Sequence, residues 1–87
     1  MELKDNFEKA VADSKQLPSK PDNETLLKLY SLYKQGTEGD INAEVPNMFD
    51  FVAKAKYDAW AKLKGVSAED AMQQYVGLVE GLKGLNP

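Results

Sequence analysis

The sequence predicts an all-α protein, a four-helix up-down-down-up bundle with a long overhand loop between helices two and three. Three observations lead to it. Apolar residues recur at helical spacing in four stretches, residues suited to caps and breaks separate the stretches, and the connections run short, long, short. At 87 residues the chain makes one domain, 1–87, able to bury about 60% of the surface its unfolded form exposes.

Leu3, Phe7, Ala10, Val11 and Ser14 follow the i, i+4, i+7, i+8, i+11 pattern, which predicts a helix over 2–16. Lys15 falls in its last turn, where the helix dipole favours a cation. Leu17-Pro18-Ser19-Lys20-Pro21 ends it, because the residue before a proline is pushed out of the α region. Asp22 or Asn23 then caps a second helix, with Leu26, Leu29, Tyr30 and Tyr33 as its apolar face, running to about Gln35.

Gly36, Gly39, Asp40, Asn42, Pro46 and Asn47 break all periodicity and give a connection of about 12 residues. At ~3.3 Å per residue such a loop reaches ~40 Å, roughly twice the length of a neighbouring helix, so helices two and three can run parallel. Asp40-Ile41-Asn42-Ala43-Glu44 imitates the start of a calcium loop. The imitation fails, with Val45 where glycine is needed and Phe51 where a glutamate should close the site, so no metal is expected.

Asp50 is the expected N-cap of helix three, which runs through Ala53, Tyr57, Trp60, Ala61 and Lys64 to a left-handed Gly65. A connection of three residues then makes helix four antiparallel to it. Ser67 caps that helix, with Ala68, Ala71, Met72, Tyr75, Val79 and Leu82 on its inner face; by spacing Tyr75 is core. Gly77, Gly81 and Gly84 weaken this helix, and close packing or a frayed end is what the sequence offers in explanation.

Composition removes several functions. The chain has no cysteine and no histidine, hence no disulfide, thiol nucleophile, imidazole base or usual zinc ligand. The basic residues are all lysine, so any anion must be met by ammonium charges without the guanidinium fork. A net charge of -3 argues against duplex nucleic acid as a partner. No signal peptide or long apolar run is evident, which points to a soluble cytoplasmic protein with no stable membrane insertion. Gly36-x-x-Gly39 lacks the spacing and the following lysine of a phosphate loop.

What remains is a constellation around the loop. Tyr30, Tyr33 and Lys34 fall within ~100° of arc on helix two, and Lys54, Lys56, Tyr57 and Trp60 repeat that chemistry on helix three. Lys54 and Lys56 lie ~200° apart around the helix, so at most one of them closely shares the side of a cleft with Tyr57. Spacing alone leaves open a plainer reading, two amphipathic helices with solvated lysines and core aromatics. With Leu26, Leu27 and Ala55 nearby, the combination suits an amphiphile carrying an anionic head and an apolar tail. A helical protein-interaction module, built on the glycines and apolar face of helix four, is the competing reading.

Tyr33-Lys34-Gln35, Gly39-Asp40-Ile41-Asn42, Pro46, Met48, Asp50-Phe51 and Lys54-Ala55-Lys56-Tyr57-Asp58-Ala59-Trp60 occur in the order and with the gaps of a known signature. In these residues the chain resembles the acyl-CoA-binding protein family. Phe7-Glu8-Lys9-Ala10, Leu17, Lys20-Pro21, Leu63-Lys64-Gly65 and Glu69-Asp70-Ala71-Met72 with Tyr75 extend the likeness over nearly the whole chain.

The resemblance implies a four-helix bundle that is not an enzyme. It implies a monomer without cofactor whose ligand is a medium- or long-chain fatty acyl-CoA, held as an intracellular carrier and pool former. By the same resemblance Tyr30 and Lys34 meet the adenine and the ribose 3′-phosphate, with Tyr33 in the same group. Lys56 reaches that phosphate from helix three, Lys15 approaches the phosphates from helix one, and Tyr75 touches the ligand from helix four. Leu26, Leu27 and Ala55 line the acyl channel, and Lys54 and Tyr57 complete the candidate ligand-binding set. Gly36 stands where the family often has alanine, Asn47 and Ala53 where it often has glycine, Val45 where a basic residue is frequent, and Tyr57 where tryptophan is frequent; these departures bear on ligand preference and affinity.

Overall fold

The computed structural model describes residues 2–84. Three of its helices begin where a short polar side chain captures an otherwise unpaired N–H group of the first turn. Asp22 accepts from the Thr25 N–H at 2.8 Å, Asp50 from the Ala53 N–H at 3.1 Å, and the Ser67 hydroxyl from the Asp70 N–H at 3.1 Å. The hydrogen bonds from Thr25 hold the Asp22 carboxyl below its ordinary pKa. The helices are α1 (Leu3–Ser14), α2 (Asn23–Glu38), α3 (Phe51–Ala61) and α4 (Ala68–Gly84), and no strand occurs among the described residues.

Two helix ends differ from the sequence reading. α2 runs on from Gln35 to Glu38 and stops only at Gly39, whose φ of 78° is open to glycine at little strain. α3 ends at Ala61 rather than Lys64, because the chain tightens there: Leu63 donates to the Trp60 carbonyl and Lys64 to the Ala61 carbonyl, both i→i+3 bonds. The connection to α4 is therefore residues 62–67 instead of three residues, and it turns at Gly65, φ 93°.

Helix directions follow from which residues meet. Lys34 lies over Trp60 and Tyr30 under Lys56, an equal offset along both chains, so α2 and α3 are parallel. Gly36, near the end of α2, abuts Met72, near the start of α4, so those two are antiparallel. The ring of Phe7 packs against Tyr75, and Asp13 pairs with Lys83 a turn or two further along both helices, which makes α1 and α4 parallel. This is the up-down-down-up bundle with its overhand loop, residues 39–50.

Phe7 and Ala10 of α1, Leu29 and Leu32 of α2, and Ala71, Tyr75 and Val79 of α4 form the core. α3 adds only Trp60 to the buried set, and it packs on α2. The expected apolar face of α2 needs correction. Leu29 is buried, but Leu26 is 37% and Tyr33 40% exposed, while Leu32, Gln35 and Gly36 are buried in their place. α2 is gripped by α4 on one side and α3 on the other, so its buried arc is rotated away from the stripe that apolar spacing marks, and it includes an amide.

Gly36 has a packing reason, since a Cβ there would come within 3.2 Å of Met72 Cγ. Gly77 and Gly81 have none: a Cβ at either would meet nothing within 4 Å. Close packing is thus not their explanation. Both sit exposed inside α4, where glycine costs about 0.5–1 kcal/mol relative to alanine. Gly77→Ala and Gly81→Ala are each expected to raise unfolding stability by about that amount in urea titrations, with additive effects; a loss of stability in either would show a role for the missing side chain.

Candidate functional site

Parallel packing of α2 and α3 leaves an apolar cleft between them. Asn23, Leu26, Leu27 and Tyr30 of α2 face Phe51, Val52, Ala55 and Lys56 of α3 across a volume of about 400 Å³. At one end Tyr30 and Lys56 close it together, the Lys56 Nζ standing 5.3 Å from the centre of the Tyr30 ring. Beyond this pair a smaller hollow of about 210 Å³ is lined by Ala53, Tyr57, Trp60 and the loop residues Ala43, Glu44 and Pro46.

Lys34 sits one turn further along α2, its Nζ 5.1 Å above the Trp60 ring. Two ammonium groups are therefore held on aromatic faces along one line, each by an attraction of about 0.5–1 kcal/mol at a partly exposed site. Lys34 also donates to the carboxylate of Glu38, and this hydrogen bond raises its pKa and keeps it charged. Lys56 has no carboxylate within 4 Å among the described residues.

The ring under Lys34 is fixed from below. Trp60 Nε1 donates to Gln35 Oε1 at 3.1 Å and to the Gly39 carbonyl at 3.0 Å. Gln35 Nε2 in turn donates to Asp40 Oδ1 at 3.0 Å and to the Val66 carbonyl at 2.7 Å. Asp40 Oδ1 also accepts the Gly65 N–H at 2.9 Å. These bonds, the one from Gly65 foremost and then that from Gln35, hold the Asp40 carboxyl below its ordinary pKa, with the Lys64 charge adding a little.

The remaining candidates are distributed as follows. Tyr57 lines the smaller hollow. Lys54 lies in neither cavity and pairs with Asp58 at 2.7 Å, so of the two α3 lysines it is Lys56 that enters the cleft. Tyr33 stacks on Phe7, ring centres 6.0 Å apart, and borders a separate hollow of about 610 Å³ with Lys4, Glu8, Val11 and Met72. Tyr75 is 4% exposed and donates its hydroxyl to Ser14 Oγ at 3.1 Å, the core position that helical spacing gives it. Lys15 is exposed at the end of α1 and lines neither cavity of the α2–α3 cleft.

Periodicity missed Phe51 and Val52 as walls of the cleft, although they precede Ala55 by one helical turn and so share its face. They belong to a run of large apolar side chains at the surface, Val45, Met48, Phe49, Phe51 and Val52, each more than 60% exposed. Exposed apolar runs of this kind are characteristic of ligand- or partner-binding surfaces.

A family model described as acyl CoA binding protein matches residues 4–79. The chain belongs to the acyl-CoA-binding protein family. It is 49% identical over 77 residues to the acyl-CoA-binding protein homolog 1 of Caenorhabditis elegans, covering 88% of this chain and 90% of the relative. Identity to the acyl-CoA-binding protein of Dictyostelium discoideum is 53% over 76 residues, 87% of this chain and 90% of that one. Among solved structures, acyl-CoA-binding protein 2 of Oryza sativa superposes with a TM-score of 0.92 at 37% identity, over 97% of this chain and 93% of that one. The acyl-CoA-binding protein of Moniliophthora perniciosa superposes with a TM-score of 0.90 at 38% identity, over 100% of this chain and 86% of its own. The family resemblance noted in the sequence and the four-helix fold are both established by these matches.

Within this family member, Asp40 supplies a test of the buried network. A carboxyl whose folded pKa lies below its ordinary 3.8 contributes stability above that value and loses it as pH falls through the folded pKa. Acid titration followed by the fluorescence of the sole tryptophan, Trp60, is expected to show that loss. Asp40→Asn keeps an acceptor but cannot titrate; it should lower stability at neutral pH and flatten the acid limb. An acid limb unchanged in the variant would assign the loss to other carboxylates.

Proposed function

We propose that this protein binds medium- and long-chain fatty acyl-CoA esters and carries and pools them in the cell, without transforming them. The observation that supports this most directly is the continuity of the α2–α3 cleft. An apolar floor of Leu26, Leu27, Phe51, Val52 and Ala55 ends at Tyr30 and Lys56, with Lys34 one turn beyond. An ester with a hydrocarbon tail and a phosphorylated nucleotide head presents those two chemistries in that order. Family membership and the printed names of the relatives support the same ligand.

In this reading the tail lies along the cleft and covers Phe51 and Val52. Tyr30, Lys34 and Lys56 receive the adenine and 3′-phosphate, Tyr57 borders the head, and Lys15, Tyr33, Lys54 and Tyr75 lie outside the cleft. The competing interaction-module reading is not favoured, because the family match and the names of the relatives point to the ester as ligand.

Tail burial should dominate affinity. At ~0.8 kcal/mol per methylene a 16-carbon chain yields a gross gain on the order of 10 kcal/mol, much of it offset by lost freedom of motion. The head group supplies discrimination, since a charge-assisted hydrogen bond contributes about 1.5–3 kcal/mol.

Calorimetry with palmitoyl-CoA, CoA and palmitate tests the proposal: tight binding of the ester and weak binding of either part is expected, and equal weak binding of all three would reject it. Across esters of eight to twenty carbons, each two methylenes should tighten binding by about 1.6 kcal/mol, on the order of tenfold, until the cleft is full. Lys34→Ala is expected to weaken the ester roughly ten- to hundredfold with helicity unchanged by circular dichroism; a matching loss of helicity would make the residue structural.

A further inference from the structure

Glu38 has no evident reason to be where it is for the sake of α2. It is the final residue of the helix, beside carbonyls left unpaired, where the dipole disfavours a negative charge, and the last turn carries no basic residue to compensate. Its partner Lys34 lies four residues before it, and a lysine preceding a glutamate at that spacing is the weaker orientation of the pair. Helix stability would be better served by a neutral or basic residue.

What the carboxylate does is occupy the ammonium. Lys34 Nζ is pinned between the Glu38 carboxylate and the Trp60 ring, and its side chain is 24% exposed against 41% for Glu38. Lys56 stands in contrast on the Tyr30 face with no such partner among the described residues. Of the two ammonium groups at the head of the cleft, one is open and the other is already neutralised from within.

We infer that Glu38 is an internal competitor for the anionic head group, a built-in counter-ion that a phosphate must displace from Lys34 before it is held there. The inference rests on the acyl-CoA reading of the cleft and adds to it a specificity-determining residue that touches no tail. Binding then exchanges one anion for another on Lys34. A phosphate dianion wins the exchange because it carries more charge, while the displaced carboxylate stays close and repels it. Glu38 thereby lowers affinity for every ligand bearing that phosphate and spares ligands that lack it.

The test is calorimetry at low salt with palmitoyl-CoA and its 3′-dephospho form, on the wild-type protein, Glu38→Gln, and Lys34→Met alone and combined with Glu38→Gln. Glu38→Gln is expected to tighten palmitoyl-CoA roughly three- to tenfold, to leave the dephospho ester unchanged, and to lose its advantage as salt is raised. In the Lys34→Met background, with no ammonium left to compete for, the same change should bring less tightening than in the wild type, only that from relieved repulsion. The thermal midpoint of Glu38→Gln should equal or exceed that of the wild type. Unchanged or weaker palmitoyl-CoA binding by Glu38→Gln, equal tightening of both esters, or a lowered midpoint would each overturn the inference while leaving the carrier reading intact. Wild-type protein that binds neither ester would remove both.

Discussion

The amide of Gln35 decides where α3 stands. It is wholly buried, and both of its ends are used: its oxygen accepts from Trp60, and its nitrogen donates to Asp40 and to the Val66 carbonyl. Through those partners it joins the end of α2, the start of the overhand loop, the last turns of α3 and the connection into α4. No buried side-chain nitrogen or oxygen among the described residues lacks a partner. Losing the Trp60 donor would leave the buried Gln35 oxygen unpaired, and an unpaired buried polar group costs about 1–3 kcal/mol. Because α3 offers only Trp60 to the buried interior, its position rests on these directional bonds more than on apolar packing. The cleft has α3 as its far wall, so its shape depends on the same bonds.

The proposed anion site has to work in an acidic chain without arginine. Guanidinium would bring a planar fork; ammonium is a point charge on a flexible stem. Here the ammonium groups of Lys34 and Lys56 stand over the rings of Trp60 and Tyr30, which restricts where the charges sit. Net charge says little about such a site. A local pair of cations next to an apolar floor is felt within a Debye length of about 10 Å, whatever the sum over the surface.

Much of this was legible in the residues. The caps at Asp22, Asp50 and Ser67, the breaks at Pro18 and Gly65, and the length of the loop define four helices and their directions, because each is a local property with a local sign in the sequence. Family likeness assigned Leu26, Leu27 and Ala55 to one channel and Tyr30 and Lys56 to the same ligand, and all five line the α2–α3 cleft. The buried arc of α2 was not legible, since hydropathy ranks Leu26 and Tyr33 above Gln35 and Gly36, and only tertiary partners make an amide the better interior residue. Asp40 opens a stretch that imitates a calcium loop, while its partners are Gln35 at the end of α2 and the Gly65 amide, the second of them 25 residues away and invisible to local pattern. Spacing could say that Lys54 and Lys56 diverge, but which of them turns to the cleft depends on how α3 is rolled against α2.

The up-down-down-up order has a consequence for how the molecule comes together. α1 finds its principal partner in α4, so Phe7 and Ala10 must wait for Ala71, Tyr75 and Val79. Most helical bundles assemble from neighbours in the chain and fold quickly for that reason. In this one the contacts that bury α1 come mainly from α4, at the far end of the described chain, and before α4 is in place the stack of Phe7 on Tyr33 is what α2 offers it.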